Sequence, residues 1–335
     1  MKKFTISAGA VVLGALAYQW LKPRRTFATQ VAVITGGSRG LGLALARRLG
    51  RELADLALIS RDEEELAKAK EELDGYGTMV TTWPCDLQNE RELSATFEKI
   101  GKRFGLIDLL INNAGEIMVG PFDAMSRKDF ETALAVHFWA PLNATLAAIP
   151  YLQRAASPRI INIVSVGGRV AVPHMAPYCA SKFALAGLSD ALRAELAMKR
   201  ISVTTVSPGL MRTGSHKNAL FKGAHKKEFG WFSLGAATPL FSMDADRAAR
   251  QIVRAAWKNQ PALTISMAAR ALILAQALAP NCLARMMKLV ARFLPTMPPE
   301  GGTEVRTGWE SQSGISPSVL TAPADNATER FNEKR

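Results

Sequence analysis

The chain has 335 residues, enough to bury a full core, and its 48% hydrophobic and 21% charged content is ordinary for a globular protein. Its formal net charge of +13 is not ordinary and asks for an anionic partner: a phosphate-rich cofactor, an acidic membrane surface or nucleic acid. No zinc-ligand spacing or basic stripe interleaved with aromatics is present, which sets nucleic acid aside, and the three separated cysteines, none in a CxxC, argue against a disulfide framework or a metal site.

Phe4 to Leu21 runs without a charge between Lys2-Lys3 and the basic cluster Lys22, Arg24, Arg25. As a helix it would span roughly 27 Å, about the thickness of a bilayer core. The basic flank favours the cytoplasmic side, so residues 1–25 read as an uncleaved anchor or a membrane-embedded helix. A cleaved leader ending near Ala15-Leu16-Ala17 and a packed arm are the alternatives.

From Gln30 onward, β-branched runs alternate with helical stretches. Strands are predicted at Val31–Thr35, Leu56–Ser60, Thr78–Trp83, Asp108–Asn112, Arg159–Ser165, Ile201–Val206 and Ala262–Ser266. Helices are predicted at Leu41–Leu53, Glu63–Leu73, Glu90–Phe104, Ser126–Leu152, Ala176–Lys199 and Asp244–Lys258, the last capped by Ser242 or Asp244. This alternation predicts an α/β fold: a Rossmann-type doubly wound parallel sheet of about seven strands with helices on both faces. No linker interrupts it, so residues 26–267 form one catalytic domain. Gly209 to Phe241 is expected to be irregular, residues 268–297 an apolar and basic helical extension, and residues 298–335 disordered on composition.

Thr35-Gly36-Gly37-Ser38-Arg39-Gly40-Leu41-Gly42 joins the first strand to the first helix. Glycines there let the backbone approach a pyrophosphate, and the helix N-terminus offers free N–H groups and a positive dipole end. A plain tight turn is the bland alternative, but the strand–loop–helix context is the one this motif requires. The second strand ends Ile59-Ser60-Arg61, without the acid that would take a ribose 2′-hydroxyl and repel a 2′-phosphate. Arg61 with Arg39 suits a 2′-phosphate, so the expected cofactor is NADP(H) rather than NAD(H), although Asp62 follows directly.

Ser165 ends the fifth strand, and Tyr178 and Lys182 lie four apart on the next helix, sharing a face. A phenol titrates near pH 10, too high for neutral acid–base work, and a neighbouring ammonium lowers that value. Ser165 is then expected to bind a substrate oxygen, with Tyr178 as general acid/base and Lys182 beside it.

Taken together, the TGxxxGxG loop, Asp86-Leu87, Asn112-Asn113-Ala114-Gly115, Ser165, the YxxxK of Tyr178 to Lys182, and Pro208-Gly209 with Thr213 resemble the short-chain dehydrogenase/reductase family. The resemblance covers roughly Gln30 to Ser266 and implies hydride transfer between a CH–OH or C=O group and a nicotinamide. It implies that Asp86, with Leu87, lies by the adenine, and that Asn113, Ala114 and Gly115 run along the adenosine side. It also implies that Lys182 bonds the nicotinamide ribose and that Pro208, Gly209 and Thr213 contact the nicotinamide. For Asn112 a purely structural role is equally open. His137 stands where the family usually has an asparagine that helps hold a water in a proton relay. It is a candidate for that role, with simple packing the alternative.

The segment after Pro208 forms the lid in that family. Here Phe221, Phe229, Trp231, Phe232 and Phe241 suit an apolar substrate wall, and His216, Lys217, Lys222, His225, Lys226 and Lys227 suit an anionic substrate or lipid surface. Lid packing and solvated charges are the bland readings. The expected partners are a lipophilic alcohol or carbonyl and a membrane surface; residues 268–294 also suit a buried or homo-oligomer interface helix. The main reading is an active oxidoreductase. The alternative is a cofactor-binding sensor or scaffold without turnover, suggested by His137 alone.

Overall fold

The computed structural model describes residues 26–333 apart from 240, 300 and 315, so the expected N-terminal anchor lies outside the described residues. Val31–Thr35 (β1) is buried along its whole length, as a central parallel strand covered on both faces must be. It leads into Gly40–Gly50 (α1), and the alternation continues through Asp55–Ser60 (β2), Glu63–Asp74 (α2), Val80–Pro84 (β3), Glu90–Phe104 (α3) and Leu109–Asn112 (β4). Then follow Arg127–Leu134 (α4), Ala140–Leu152 (α5), Arg159–Ile163 (β5), Ala176–Ala197 (α6), Ser202–Pro208 (β6), His225–Ala237 (α7), Ala245–Trp257 (α8) and Ala262–Ile265 (β7).

The seven strands are parallel, in the order β7-β6-β5-β4-β1-β2-β3. The connections run outward in opposite directions from the β1/β4 boundary, and the carboxyl ends of those two strands open a crevice there. One apolar core fills the space between the sheet and α1, α2 and α8. A second lies between the opposite face and α3, α5 and the end of α6. This is the doubly wound architecture the alternation predicts. Of the two expected caps for α8, Asp244 is used: its side chain accepts the Arg247 N–H at 3.0 Å.

Four departures from the expected elements bear on function. The single helix expected over 126–152 contains a wider π-helical turn at Ala135–Trp139, just before Pro141, whose ring cannot continue the ordinary hydrogen-bond ladder. Arg127–Leu152 is the one helix among the described residues long and apolar enough to cross a membrane; here it packs against α3 and α6 within the domain.

The segment expected to be irregular holds α7 and two short strands. Leu220–Phe221 pairs with Met118–Val119 and Arg306–Thr307, and Leu210–Arg212 pairs with Ser242–Asp244. Several of its bases turn inward. Lys222 Nζ lies 2.6 Å from Asp129, both side chains buried, and His216 and Lys217 pair with Asp325 at 3.2 and 3.0 Å. These three bases are therefore internal fasteners, not a docking surface, because each has a carboxylate within reach.

The extension after β7 breaks at Ala279-Pro280 into Met267–Leu278 (α9) and Pro280–Ala291 (α10), each with a single buried residue.

Finally, the tail expected to be disordered folds back. Ala322–Arg330 (α11) packs on α7, with Ala324, Ala327 and Phe331 buried. Those three residues recur at helical spacing, and the apolar stripe they make outweighs the polar composition around it.

Candidate active site

The crevice is a cavity of about 660 Å³ above the carboxyl ends of β1, β4, β5 and β6. One wall is the glycine loop. Gly36 has φ +63°, and a Cβ there would lie 2.9 Å from the Ala114 Cα, so only glycine lets β1 and β4 come this close. Thr35 and Asn113 stitch the contact. The Thr35 hydroxyl accepts the Asn113 and Ala114 N–H groups at 3.0 and 3.2 Å. The Asn113 amide donates to the Thr35 and Gly36 carbonyls at 3.0 and 3.1 Å. The α1 N-terminus has no side-chain cap, and its first N–H, that of Gly40, donates to the Phe331 carbonyl at 2.9 Å. Asn112 serves the framework: its amide donates to Asn162 at 2.8 Å and Thr145 at 3.3 Å, joining β4, β5 and α5.

At the outer end of the groove, Ser38, Ser60, Arg61, Asp86 and Leu87 line one patch. Asp62, whose direction matters for the ribose, accepts the Glu65 N–H at 2.9 Å and so caps α2. Glu65 was not legible as a site residue. It accepts from the Ser38 hydroxyl at 2.9 Å and pairs with Arg39 at 2.8 Å. Burial opposes the Arg39 charge, but Glu333 and Glu65 outweigh it and raise its pKa. Arg61 makes no ion pair among the described residues.

At the inner end, Ser165, Tyr178 and Lys182 converge. The Ser165 hydroxyl accepts the Gly167 N–H at 3.0 Å. Burial pushes the Tyr178 phenol up to about 12, against the pull of its hydrogen bond with Ser165. Lys182 Nζ donates to the Ile163 carbonyl at 2.9 Å and stands 5.9 Å from the Tyr178 ring centre. Burial alone drives its ammonium down to about 7. The expected lowering of the phenol's pKa by the ammonium is therefore not the leading effect: desolvation dominates both groups and moves each toward its neutral form.

His137 is 1% exposed, in the π-helical turn. Its Nε2 accepts the Glu116 N–H at 3.1 Å, and its Nδ1 lies 2.8 Å from the Ser181 hydroxyl, which donates to the Tyr178 carbonyl. That chain requires the proton on Nδ1. Burial, then the Lys182 charge, holds the ring's pKa well below 6.5. Both nitrogens are engaged by protein, so the side chain has none left for a relay water; it braces Glu116 and the start of the Tyr178 helix instead.

Gly36, Ser38, Arg39, Gly40, Leu41, Arg61, Asp86, Leu87, Asn113, Ala114, Gly115, His137, Ser165, Tyr178, Lys182, Pro208, Gly209 and Thr213 all line this one cavity. Thr35 and Gly42 stand behind its wall. Beyond Tyr178 the lining turns apolar, with Ile117, Val172, Met175, Leu210, Trp231 and Phe232. Phe221 and Phe229, expected as substrate wall, are fully buried in the lid's own core instead.

The short chain dehydrogenase family profile matches residues 30–222. SadH of Mycobacterium tuberculosis, named as an oxidoreductase, is 32% identical over 277 residues, covering 81% of this chain and 98% of that protein. A protein named as ketoacyl reductase 1 of the granaticin polyketide synthase of Streptomyces violaceoruber is 38% identical over 191 residues, 56% of this chain and 70% of its own length. The crystal structure of a metagenomic short-chain oxidoreductase in complex with NADP superposes with a TM-score of 0.59 at 28% identity, covering 72% of this chain and 99% of that one. The chain belongs to the short-chain dehydrogenase/reductase family of oxidoreductases, whose nucleotide-binding Rossmann fold takes NAD(P).

Lys182 makes a stability prediction with a definite sign. Between about pH 7 and its ordinary 10.5 the unfolded chain carries a proton the folded chain lacks. Native stability from this group therefore rises with pH across that window, and the full cost of the buried charge is felt below it. Lys182→Met should raise the Tm by roughly 5 °C at pH 6 and by less at pH 9. Equal or opposite shifts at the two pH values in calorimetric scans would contradict the burial argument.

Proposed function

We propose that the protein is an NADP(H)-dependent oxidoreductase that interconverts a lipophilic alcohol and its ketone or aldehyde. The observation that carries this reading is the position of Ser165, Tyr178 and Lys182 where the glycine-loop half of the cleft meets its apolar half. The cradle at Gly36 and the uncapped α1 N-terminus fit a dinucleotide, which when bound supplies or accepts the hydride. The Ser165 hydroxyl binds the substrate oxygen. Tyr178 gives that oxygen a proton in reduction, a task suited to a phenol held protonated at about 12. In the oxidising direction Tyr178 takes the proton, and positive charge close to it favours the phenolate. Lys182 is the chain's own cation there.

NADP(H) over NAD(H) is supported by Arg39 and Arg61 at the outer end, by the absence of an acid at the β2 tip and by the engagement of Asp62 as a helix cap. The NADP complex of the structural relative points the same way. Glu65 works against it by pairing with Arg39, which leaves Arg61 the larger share. A lipophilic substrate is supported by the apolar wall and by the ketoacyl reductase name of one relative.

The partner surface is supported by α9 and α10. They expose Met267, Leu274, Leu278, Leu289 and Phe293 beside Arg270, Arg285, Lys288 and Arg292, with no acid between Arg247 and Pro299. An apolar and cationic face of this kind suits an anionic membrane.

NADPH oxidation with a panel of lipophilic ketones and aldehydes tests the chemistry: Tyr178→Phe should lower kcat by about 10²–10⁴, and comparable turnover by the variant would sink the mechanism. In the same assay, Arg39→Ala with Arg61→Ala should lower the ratio of NADPH to NADH efficiency by about tenfold or more, the weight of one charged hydrogen bond; an unchanged ratio refutes the cofactor assignment. In flotation with phosphatidylserine vesicles, the full chain should bind at low salt and Arg285→Glu/Lys288→Glu should bind less. Equal flotation of the two proteins removes the surface from the proposal.

A further inference from the structure

The last described residues of the chain lie in the nucleotide groove. The Gly40 N–H, the first of α1, donates to the Phe331 carbonyl at 2.9 Å. The Asn332 amide donates to the Ser38 and Glu65 carbonyls at 3.1 and 3.3 Å. Glu333 is 4% exposed, and its side chain accepts from the Asn218 amide at 2.6 Å and pairs with Arg39 at 3.6 Å. Its Oε1 lies 2.7 Å from the point a Gly40 Cβ would occupy, and the Thr213 Cβ lies 4.0 Å from that same point. The carboxyl group therefore bridges the groove from the glycine loop toward the segment after Pro208. It lines the same cavity as the Arg61–Asp86 patch and Tyr178.

The Phe331 carbonyl takes the first N–H of α1 and the Glu333 carboxyl pairs with the loop arginine, so the strap occupies two donors that a diphosphate at this helix terminus would use. A diphosphate brought to the same terminus also meets an ionised Glu333 as a like charge at close range. Resting on the NADP(H) reading above, we propose that residues 331–333 are a built-in competitor of the dinucleotide, so that cofactor binding must displace the chain's own C-terminal strap. The strap has a firm end and a weak one. Its root is held by buried Phe331, by the Arg47 guanidinium bonded to the Arg330 carbonyl at 2.7 Å and by ion pairs from Arg330 to Asp244 and Asp246. Its tip is held by the Asn218 amide and by a longer ion pair with Arg39, and burial pushes that carboxyl up to about 7, so protonation near neutral pH weakens its hold on the arginine.

The test is titration calorimetry of NADPH, and separately of NADH, into the full chain, a chain ending at Arg330, and Glu333→Gln in the full chain. The inference expects the shortened chain to bind NADPH at least about tenfold more tightly, and Glu333→Gln to move the same way by a smaller factor. Equal or weaker binding by the shortened chain overturns it; if that chain does not fold, the Glu333→Gln result decides alone. Tighter binding of NADH but not NADPH in every form overturns the cofactor assignment and leaves the strap standing. Binding of neither nucleotide to any form overturns both.

Discussion

A buried ammonium with no carboxylate partner governs this site. Among the described residues nothing acidic pairs with Lys182; its one hydrogen bond is to the Ile163 carbonyl, at the end of β5. A carboxylate there would neutralise the charge permanently and leave the phenol to itself. Without one, burial moves Lys182 toward its neutral form. A buried amine of this kind is costly to fold around, and the structure meets the cost through rigidity. The carbonyl that receives Nζ belongs to a strand flanked by β4 and β6, and the helix carrying Tyr178 and Lys182 docks along β6.

Acid–base chemistry and nucleotide cradle share one foundation. Gly115 follows the clasp formed by Thr35, Gly36 and Asn113, and a Cβ on it would sit 3.1 Å from His137 Nε2 and 3.6 Å from Lys182 Nζ. The residues that let two strands approach for a diphosphate thus continue directly into those that surround the lysine. His137 connects the far side, reaching Glu116 with one nitrogen and Ser181 with the other. Its Nε2 supplies the acceptor that the Glu116 N–H needs at the start of the segment after the clasp.

The parts legible in the sequence are those whose signal is local. Strands such as Val31–Thr35 announce themselves by continuous apolar runs, the glycine loop by its composition between strand and helix, and Tyr178 and Lys182 by helical spacing. Glu65 gave no such sign, since its role arises from folding α2 against the loop that carries Ser38 and Arg39. Lys217 and Lys222 look like surface bases until Asp325 and Asp129 are brought to them from 108 and 93 positions away. The tail misled for the same reason: polar composition favours disorder, whereas Phe331 and Glu333 find their partners around residues 38–47 and 218. Long-range pairing leaves no trace in a window of neighbouring residues.

The π-helical turn at Ala135–Trp139 acts as a single inserted residue. An α-helix advances about 100° per residue, and the wider turn takes up the extra residue locally, so α4 keeps its face against α6 and α5 its face against α3. His137 lies within that turn, where it reaches the Glu116 N–H. A residue inserted or deleted in the regular stretch on either side has no such turn to absorb it, and would swing everything beyond it by about that angle away from its partners. The apolar composition of this helix conceals how narrowly its length is set.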